Sequence, residues 1–345
     1  MPALAAAISL GGIQLTQASA LPRGTQNRSV ELQCPACRTA LMALPYHLLA
    51  AACEPIWCPR CSFTLRQGEG IWRALPKERE KYFARFVRDY EAIRRAEGRG
   101  SEDAEFYLSL PFCDRTKKNS WQWSIRARTF RYIERRIIPT LGDGDSISPT
   151  ILDLGAGNGW LSYRLTNLGC RPIAVDLQSN TFDGLGAAMH YRQTLPTLFP
   201  CFQAELDHLP FSDDQFDCAI FNASFHYSEN YDVTLSEAIR CLRPGGTVVI
   251  ADSPSYSREE SGQAMLQERR AMFQARFGFR SDALSSCEYL TNERLVALEA
   301  KHDIEWTTHH AWYGMRWASR PLAARISGRR EPSQFRVYTA RVKAQ

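Results

Sequence analysis

The sequence predicts an α/β fold on a mostly parallel sheet with an antiparallel edge strand, preceded by a small cysteine-stapled module. The run Ile151-Leu-Asp-Leu-Gly-Ala-Gly-Asn-Gly-Trp160 reads as a buried strand driving into a glycine-rich turn and then a helix. Further short apolar strands follow it, at Pro172–Asp176, Asp217–Asn222 and Leu242–Ile250. Near the front, Cys34-Pro-Ala-Cys37 and Cys58-Pro-Arg-Cys61 form two knuckles twenty residues apart. A chain of 345 residues suits one main domain with an appendage.

The glycine turn has a chemical reading. Gly155, Gly157 and Gly159 lack a Cβ, so the backbone can lie close to a ligand while the amides opening the next helix point at it. The spacing Asp-x-Gly-x-Gly-x-Gly lacks the two-residue gap before the last glycine of the dinucleotide fingerprint, which favours S-adenosylmethionine (SAM) over NAD. About twenty residues on, Asp176 ends the next strand, where a carboxylate can accept both ribose hydroxyls.

Taken in order with Glu205-Leu-Asp-His-Leu-Pro-Phe211 and Leu242-Arg-Pro-Gly-Gly246, these motifs resemble the class I SAM-dependent methyltransferases. The likeness is strongest to the type 11 branch that includes the quinone-biosynthesis enzymes, and it is dense from Thr150 to Asp252. It implies a Rossmann-like sheet, an enzyme that moves a methyl group, and a set of cofactor positions. Asp153 lies beneath the loop Gly155, Ala156, Gly157 and Gly159; Asp176 takes the ribose hydroxyls, with Leu177 next to it at the cofactor; Glu205, standing where the family more often has Asp, faces the adenine amino group with Asp207 as the alternative acceptor, and the Leu206 amide contacts the ring.

Asn222-Ala-Ser-Phe-His-Tyr227 follows the fourth strand, where acceptor and cofactor meet in this family. Asn222 is expected at the cofactor, and Asn222, His226 and Tyr227 are the candidate catalytic residues, with His226 as general base for a hydroxyl, phenol or acidic carbon or only a packed pocket residue. The segment lacks the Asn-Pro-Pro-Tyr tetrad that holds an exocyclic or glutamine amide nitrogen, which counts against those targets. The expected acceptor is a small molecule. The alternatives are a ribosomal or transfer RNA base, and a non-catalytic SAM-fold scaffold.

The two knuckles put four thiolates, Cys34, Cys37, Cys58 and Cys61, within reach of one ion. That spacing is the arrangement of a structural Zn2+ ribbon with no open position. The segment Ser62–Trp72 reads as a strand, a glycine turn and an apolar pair, and is similar to the zinc-ribbon module fused to, or partnering, methyltransferases. Trp72 stands where that module has proline, and no histidine stands where the guanine-N1 ribosomal RNA methyltransferases usually have one. The other seven cysteines are unpaired in pattern, and reduced thiols beside a zinc ribbon indicate the cytoplasm.

The expected organisation is a disordered leader over 1–28, the ribbon over 29–75, a helical connector and lid over 76–140, and the methyltransferase domain over 141–345 with an insertion at about 253–287. Met1–Ala20 is apolar and ends Ala-Ser-Ala, but lacks the basic start of a signal peptide. Pro76–Gly98 reads as a charged helix whose apolar stripe, Tyr82, Phe83, Phe86, Val87, Tyr90 and Ile93, is a packing face. Ser120–Tyr132 reads as a second helix, with Trp121, Trp123, Arg126 and Phe130 able to enclose SAM and Arg126 or Arg128 able to face its carboxylate. The insertion, with an amphipathic stretch at Glu259–Phe277, belongs at the substrate pocket. Asp303–His310 and Gln334–Val342 read as the last two strands.

Net charge is +5, but Ile71–Thr140 carries 17 basic and 10 acidic residues and Tyr313–Gln345 carries 8 and 1, against 12 and 23 between them. The basic flanks suit an anionic substrate or an RNA backbone, or are simply solvated surface. Between the last strands, Trp312, Tyr313, Arg316, Trp317, Arg320, Arg325, Arg329 and Arg330 mix aromatics with arginines, either as an anion or RNA contact or as a solvated hairpin. No apolar run approaches the roughly 20 residues of a membrane span.

Overall fold

The structure is a computed structural model that describes residues 29–51, 53–141 and 148–343. The expected leader over 1–28 lies outside them. The chain opens with the antiparallel pair β1 (Ser29–Gln33) and β2 (Ala40–Pro45), a short helix α1 (Tyr46–Leu49), and strands β3 (Ile56–Trp57), β4 (Thr64–Gly68) and β5 (Ile71–Arg73). β4 and β5 are joined by the two-residue turn Glu69-Gly70, both with positive φ, the mirror-type turn whose twist matches a hairpin. Three helices follow: α2 (Lys77–Ala96), α3 (Ala104–Ser109) and α4 (Ser120–Arg136).

The central unit then alternates strand and helix: β6 (Thr150–Leu154), α5 (Trp160–Asn167), β7 (Arg171–Asp176), a 3-10 segment Leu185–Gln193, β8 (Cys201–Gln203), β9 (Phe216–Asn222), α6 (Tyr231–Cys241) and β10 (Leu242–Ala251). The insertion comprises β11 (Ser255–Tyr256), α7 (Glu259–Phe277) and β12 (Leu290–Thr291). After α8 (Asn292–His302) come β13 (Thr307–His309), α9 (Met315–Ala318), α10 (Arg320–Ile326) and β14 (Val337–Arg341).

Ten strands form one sheet in the order β13-β14-β10-β9-β6-β7-β8-β5-β4-β3. The six from β10 to β5 run parallel, and antiparallel pairs close both edges. This is the mixed, mostly parallel α/β sheet expected. β6 is buried at all five residues, because a parallel strand covered on both faces needs no polar side. Its alternate residues split between the two cores: Leu152 and Leu154 pack on one face, Ile151 on the other with Phe106, Trp123 and Phe130 from the helices α3 and α4.

The cysteine module is not a separate body. β5 pairs in parallel with β8, so β3, β4 and β5 of the module extend the main sheet while β1 and β2 pair apart, and Val30, Leu32, Leu49, Leu65 and Trp72 join the same core as Leu152 and Phe202. Trp72 is fully buried, stacks on Phe202 with ring centres 5.9 Å apart, and donates its indole N–H to the Leu49 carbonyl at 2.8 Å. A module too small for a core of its own thus borrows one.

The last edge carries one correction. The strands expected at Asp303–His310 and Gln334–Val342 are present but shorter, and the stretch between them is the helix pair α9 and α10, not a hairpin arm. Pro321 sits in the first turn of α10, where its fixed φ suits a helix start.

Candidate functional site

The chain order reverses at β6: β7 and β8 lie to one side, β9 and β10 to the other. Such a switch point opens a crevice at the carboxyl ends of the strands. The loop after β6 forms its floor. Gly155 and Ala156 donate their N–H groups to the Val175 carbonyl at 2.8 and 3.0 Å, which holds the loop against β7. Gly155 has φ +78°, and a Cβ there would stand 2.2 Å from Ser224 Cβ, so the position takes no larger residue. Gly157, at φ +56°, is different: a Cβ would meet only the Asp183 carbonyl at 3.5 Å, and so would project into open space.

Asp176 is fixed by two amides. Gly157 N–H donates to one carboxylate oxygen at 2.8 Å and Gln178 N–H to the other at 2.7 Å. A carboxylate has about four lone-pair sites, so acceptor capacity remains. Burial, with neighbouring Asp183 adding to it, pushes the Asp176 carboxyl up to about 6, against the two amide hydrogen bonds and Arg94, which act the other way. Asp153 serves the scaffold. It accepts from the Ser162 N–H at 3.1 Å and hydroxyl at 2.8 Å, tying β6 to α5, and burial pushes its carboxyl up to about 7.

The crevice encloses about 790 Å³, counting the space at its mouth, and is lined by Gly155, Ala156, Gly157, Asp176, Leu177, Leu206, Asn222 and Tyr227 among the expected residues. Gly159 lies just beyond, as N-cap of α5. Asn222 lines this space, and its amide oxygen is buried with no hydrogen-bond partner among the described residues. Beside it Ala223 holds φ +57°, a conformation that costs a non-glycine residue about 1–2 kcal/mol and clusters at functional sites.

Over the crevice lies α2. Its Phe86 and Tyr90 form an aromatic cluster with Tyr227, at ring-centre distances of 5.6 to 6.2 Å, and line the cavity with Arg94. The apolar stripe expected only to pack therefore also roofs the site. Polar contacts strap this helix down, among them Arg79 to Glu205, Gln178 Nε2 donating to the Val87 carbonyl at 3.1 Å, and Arg94 to Asp183.

The hydrogen bonds around the crevice correct three expectations. Glu205 does not face the cavity: its buried carboxylate takes a fork from Arg79, with N···O distances of 2.7 to 3.1 Å. Asp207 accepts from the Thr234 hydroxyl, and its carboxyl is raised by burial; only Leu206 of the three reaches the cavity. His226 is also turned away. It is buried, its Nδ1 lies 3.3 Å from the Ser253 hydroxyl, and burial together with Arg269 and Arg126 pulls its pKa down to about 3. It is a neutral ring outside the lining, packed on Tyr227 at 4.3 Å between ring centres.

Of the five residues of α4 expected at the cofactor, Arg126 lines the cavity, whereas Trp123 packs edge-on to Trp160 and Phe130 is core. Trp121 lies under the Arg316 guanidinium, and Arg128 donates to the Tyr313 carbonyl. Arg320 stacks on Trp317 and Arg330 pairs with Glu268, so part of the carboxyl-terminal arginine set is used within the fold.

The four cysteines converge as spaced. Their sulfurs lie within 4.8 Å of one another, with Cys34···Cys61 and Cys37···Cys58 both at 3.5 Å. A tetrahedron with about 2.3 Å bonds needs sulfurs about 3.8 Å apart, so the cluster fits a zinc ribbon. Each knuckle is built alike: Arg38 and Ser62, one residue beyond each pair, have positive φ and donate back to the Cys34 and Cys58 carbonyls at 2.8 and 3.1 Å.

Residues 152–250 match the family described as Methyltransferase domain. This segment is a methyltransferase domain. Malonyl-[acyl-carrier protein] O-methyltransferase of Yersinia pestis is 29% identical over 117 residues, which are 34% of this chain and 41% of that protein. The enzyme of the same name from Buchnera aphidicola is 28% identical over 141 residues, 40% of this chain and 53% of its own. The chain thus spans about half the length of these curated relatives. Among solved structures, Burkholderia thailandensis 1,6-didemethyltoxoflavin-N1-methyltransferase, with 1,6-didemethyltoxoflavin and S-adenosylhomocysteine bound, aligns at 17% identity and TM-score 0.44 over 85% of this chain and all of that one.

Proposed function

We propose that the protein is a SAM-dependent methyltransferase acting on a small-molecule acceptor. The observation that carries this reading is the crevice at the switch point: a glycine loop with a bare face at Gly157, a fixed carboxylate at Asp176 and an unsatisfied amide oxygen at Asn222 converge on one space. That donor and acceptor set fits the cofactor. Asp176 has lone pairs left for ribose hydroxyls, Leu177 and Leu206 offer apolar faces for the base, and the Asn222 oxygen gains a donor. Bound there, SAM supplies an electrophilic methyl group.

The chain's own part is positioning. Methyl transfer needs the nucleophile in line with the methyl carbon, and orientation alone lowers such barriers by about 7–11 kcal/mol. Phe86, Tyr90 and Tyr227 wall the crevice and keep water out, while the α2 straps hold that wall in place. With His226 neutral and turned away, the acceptor enters already nucleophilic or is deprotonated by another group.

We assign Zn2+ to Cys34, Cys37, Cys58 and Cys61 as a structural ion, and its four reduced thiolates suit the cytoplasm. Among the described residues no helix is long and apolar enough to cross a membrane. The function is tested by incubating the protein with methyl-labelled SAM and either a low-mass extract or total RNA. Label in the low-mass fraction supports the proposal; label only in RNA replaces it with the nucleic-acid alternative; SAM binding without transfer to either leaves the scaffold reading.

A further inference from the structure

A second cavity adjoins the first. It encloses about 840 Å³ counting its mouth, and shares Phe86, Tyr90, Arg94, Arg126 and Tyr227 with the crevice. Its remaining walls come from the end of α2, from Arg99, and from the insertion through Arg269, Phe273 and Leu284. The lining combines four arginines, Arg94, Arg99, Arg126 and Arg269, with the apolar side chains Phe273 and Leu284.

Three of these arginines have partners. Arg94 pairs with Asp183, Arg99 Nε with Glu97 at 2.9 Å, and Arg269 with Glu288, which Ser286 also supports at 2.9 Å. The pairs leave donors over. Arg99 is 6% exposed, yet its Nη1 is buried without a partner among the described residues, as is Nε of Arg269. Arg126 makes no hydrogen bond or ion pair among the described residues. It stacks on Trp123 at 5.0 Å, and Asp252 attracts it only from beyond ion-pair distance, with its own carboxyl pushed up by burial. The remaining acid of the lining, Asp89, pairs outward with Arg85 at 3.5 Å. The lining residues therefore carry one cation without an ion-pair partner, Arg126, and two unmade charged donors, on Arg99 and Arg269, that are costly to bury without an acceptor.

We infer that this second cavity binds the methyl acceptor through an oxyanion, a carboxylate or phosphate held by Arg126 and Arg99, with an apolar body lying against Phe273 and Leu284. A planar guanidinium fork suits both oxyanions. The inference rests on the methyltransferase reading, because it is the shared wall at Tyr227 and Arg126 that places an occupant of the second cavity beside the cofactor.

The test is isothermal titration of the full chain, saturated with S-adenosylhomocysteine, using benzoate, phenyl phosphate and neutral benzamide as probes. At least one anion is expected to bind ten times or more tighter than benzamide, and whichever anion binds tells carboxylate from phosphate. Arg99→Met and Arg126→Met are each expected to weaken that anion tenfold, and Arg99→Met, which lies outside the cofactor crevice, is expected to change S-adenosylhomocysteine affinity less than threefold. Equal binding of benzamide and the anions, or no anion binding, overturns the inference without needing any variant to fold. Loss of S-adenosylhomocysteine affinity in Arg126→Met with the anion unaffected also overturns it, assigning that arginine to the cofactor carboxylate. Failure of the wild type to bind S-adenosylhomocysteine defeats the methyltransferase reading instead, and is seen separately.

Discussion

Gly155 and Gly157 lie two residues apart in one loop, both with positive φ, yet their replacement by alanine has opposite consequences. For Gly157→Ala the fold loses only the left-handed backbone cost, about 1–2 kcal/mol, because nothing but one carbonyl at 3.5 Å stands near the new methyl. That lowers Tm by about 1–3 °C, small against a total stability of about 5–15 kcal/mol. The methyl does occupy the face over which SAM is proposed to lie, so SAM affinity should fall at least tenfold, or about 1.4 kcal/mol. For Gly155→Ala the same backbone cost adds to a 2.2 Å clash with Ser224 Cβ, where overpacking costs about 1–3 kcal/mol more. Its loss should appear in stability, with Tm falling further than for Gly157→Ala. Thermal denaturation and SAM titration of both variants read the two effects. A folded Gly157→Ala protein that binds SAM as the wild type does refutes the placement of the cofactor over this loop.

Three other outcomes follow from the same geometry. Removing the metal with a chelator, or Cys58→Ser, should cost about 4 kcal/mol or more and expose Trp72 to solvent, read by tryptophan fluorescence; Co2+ replacement should give thiolate charge-transfer bands, and their absence contradicts the ligand set. SAM affinity should depend on Asp176 ionisation: its carboxyl is raised to about 6, so the acceptor form dominates above that pH and affinity falls about tenfold per unit below it, whereas Asp176→Asn should be weak and flat across the range. His226→Ala should cost about 1–3 kcal/mol of stability through lost packing on Tyr227 but change turnover less than threefold; a hundredfold loss of turnover with SAM affinity intact restores it as a base.

Much of the site is legible in the sequence because its signals are local. Strand, glycine loop and helix follow one another within ten residues, and the knuckles encode their own turns, so both can be read from spacing. The helices expected at Pro76–Gly98 and Glu259–Phe277 stand at Lys77–Ala96 and Glu259–Phe277, since long apolar periodicity survives its context. Pairings between distant segments are not legible. Nothing near Ile71 announces that it will lie beside Cys201, and so the merging of the ribbon into the main sheet leaves no mark in the sequence. Glu205 misleads for the same reason: its motif is local, but Arg79, which claims its carboxylate, lies 126 residues earlier. Ala223 leaves no trace either, because its left-handed φ sits on a residue that gives no hint of one. Pro321 does mark the start of α10, and its place in the chain weighs against the hairpin.

The central claim is that the crevice between β6 and β9 holds SAM through Asp176. Isothermal titration of the zinc-loaded wild type and of Asp176→Ala with SAM tests it most directly. The account predicts micromolar binding to the wild type and at least tenfold weaker binding to a folded variant. A folded wild type that binds no SAM, or a variant that binds it equally well, contradicts it.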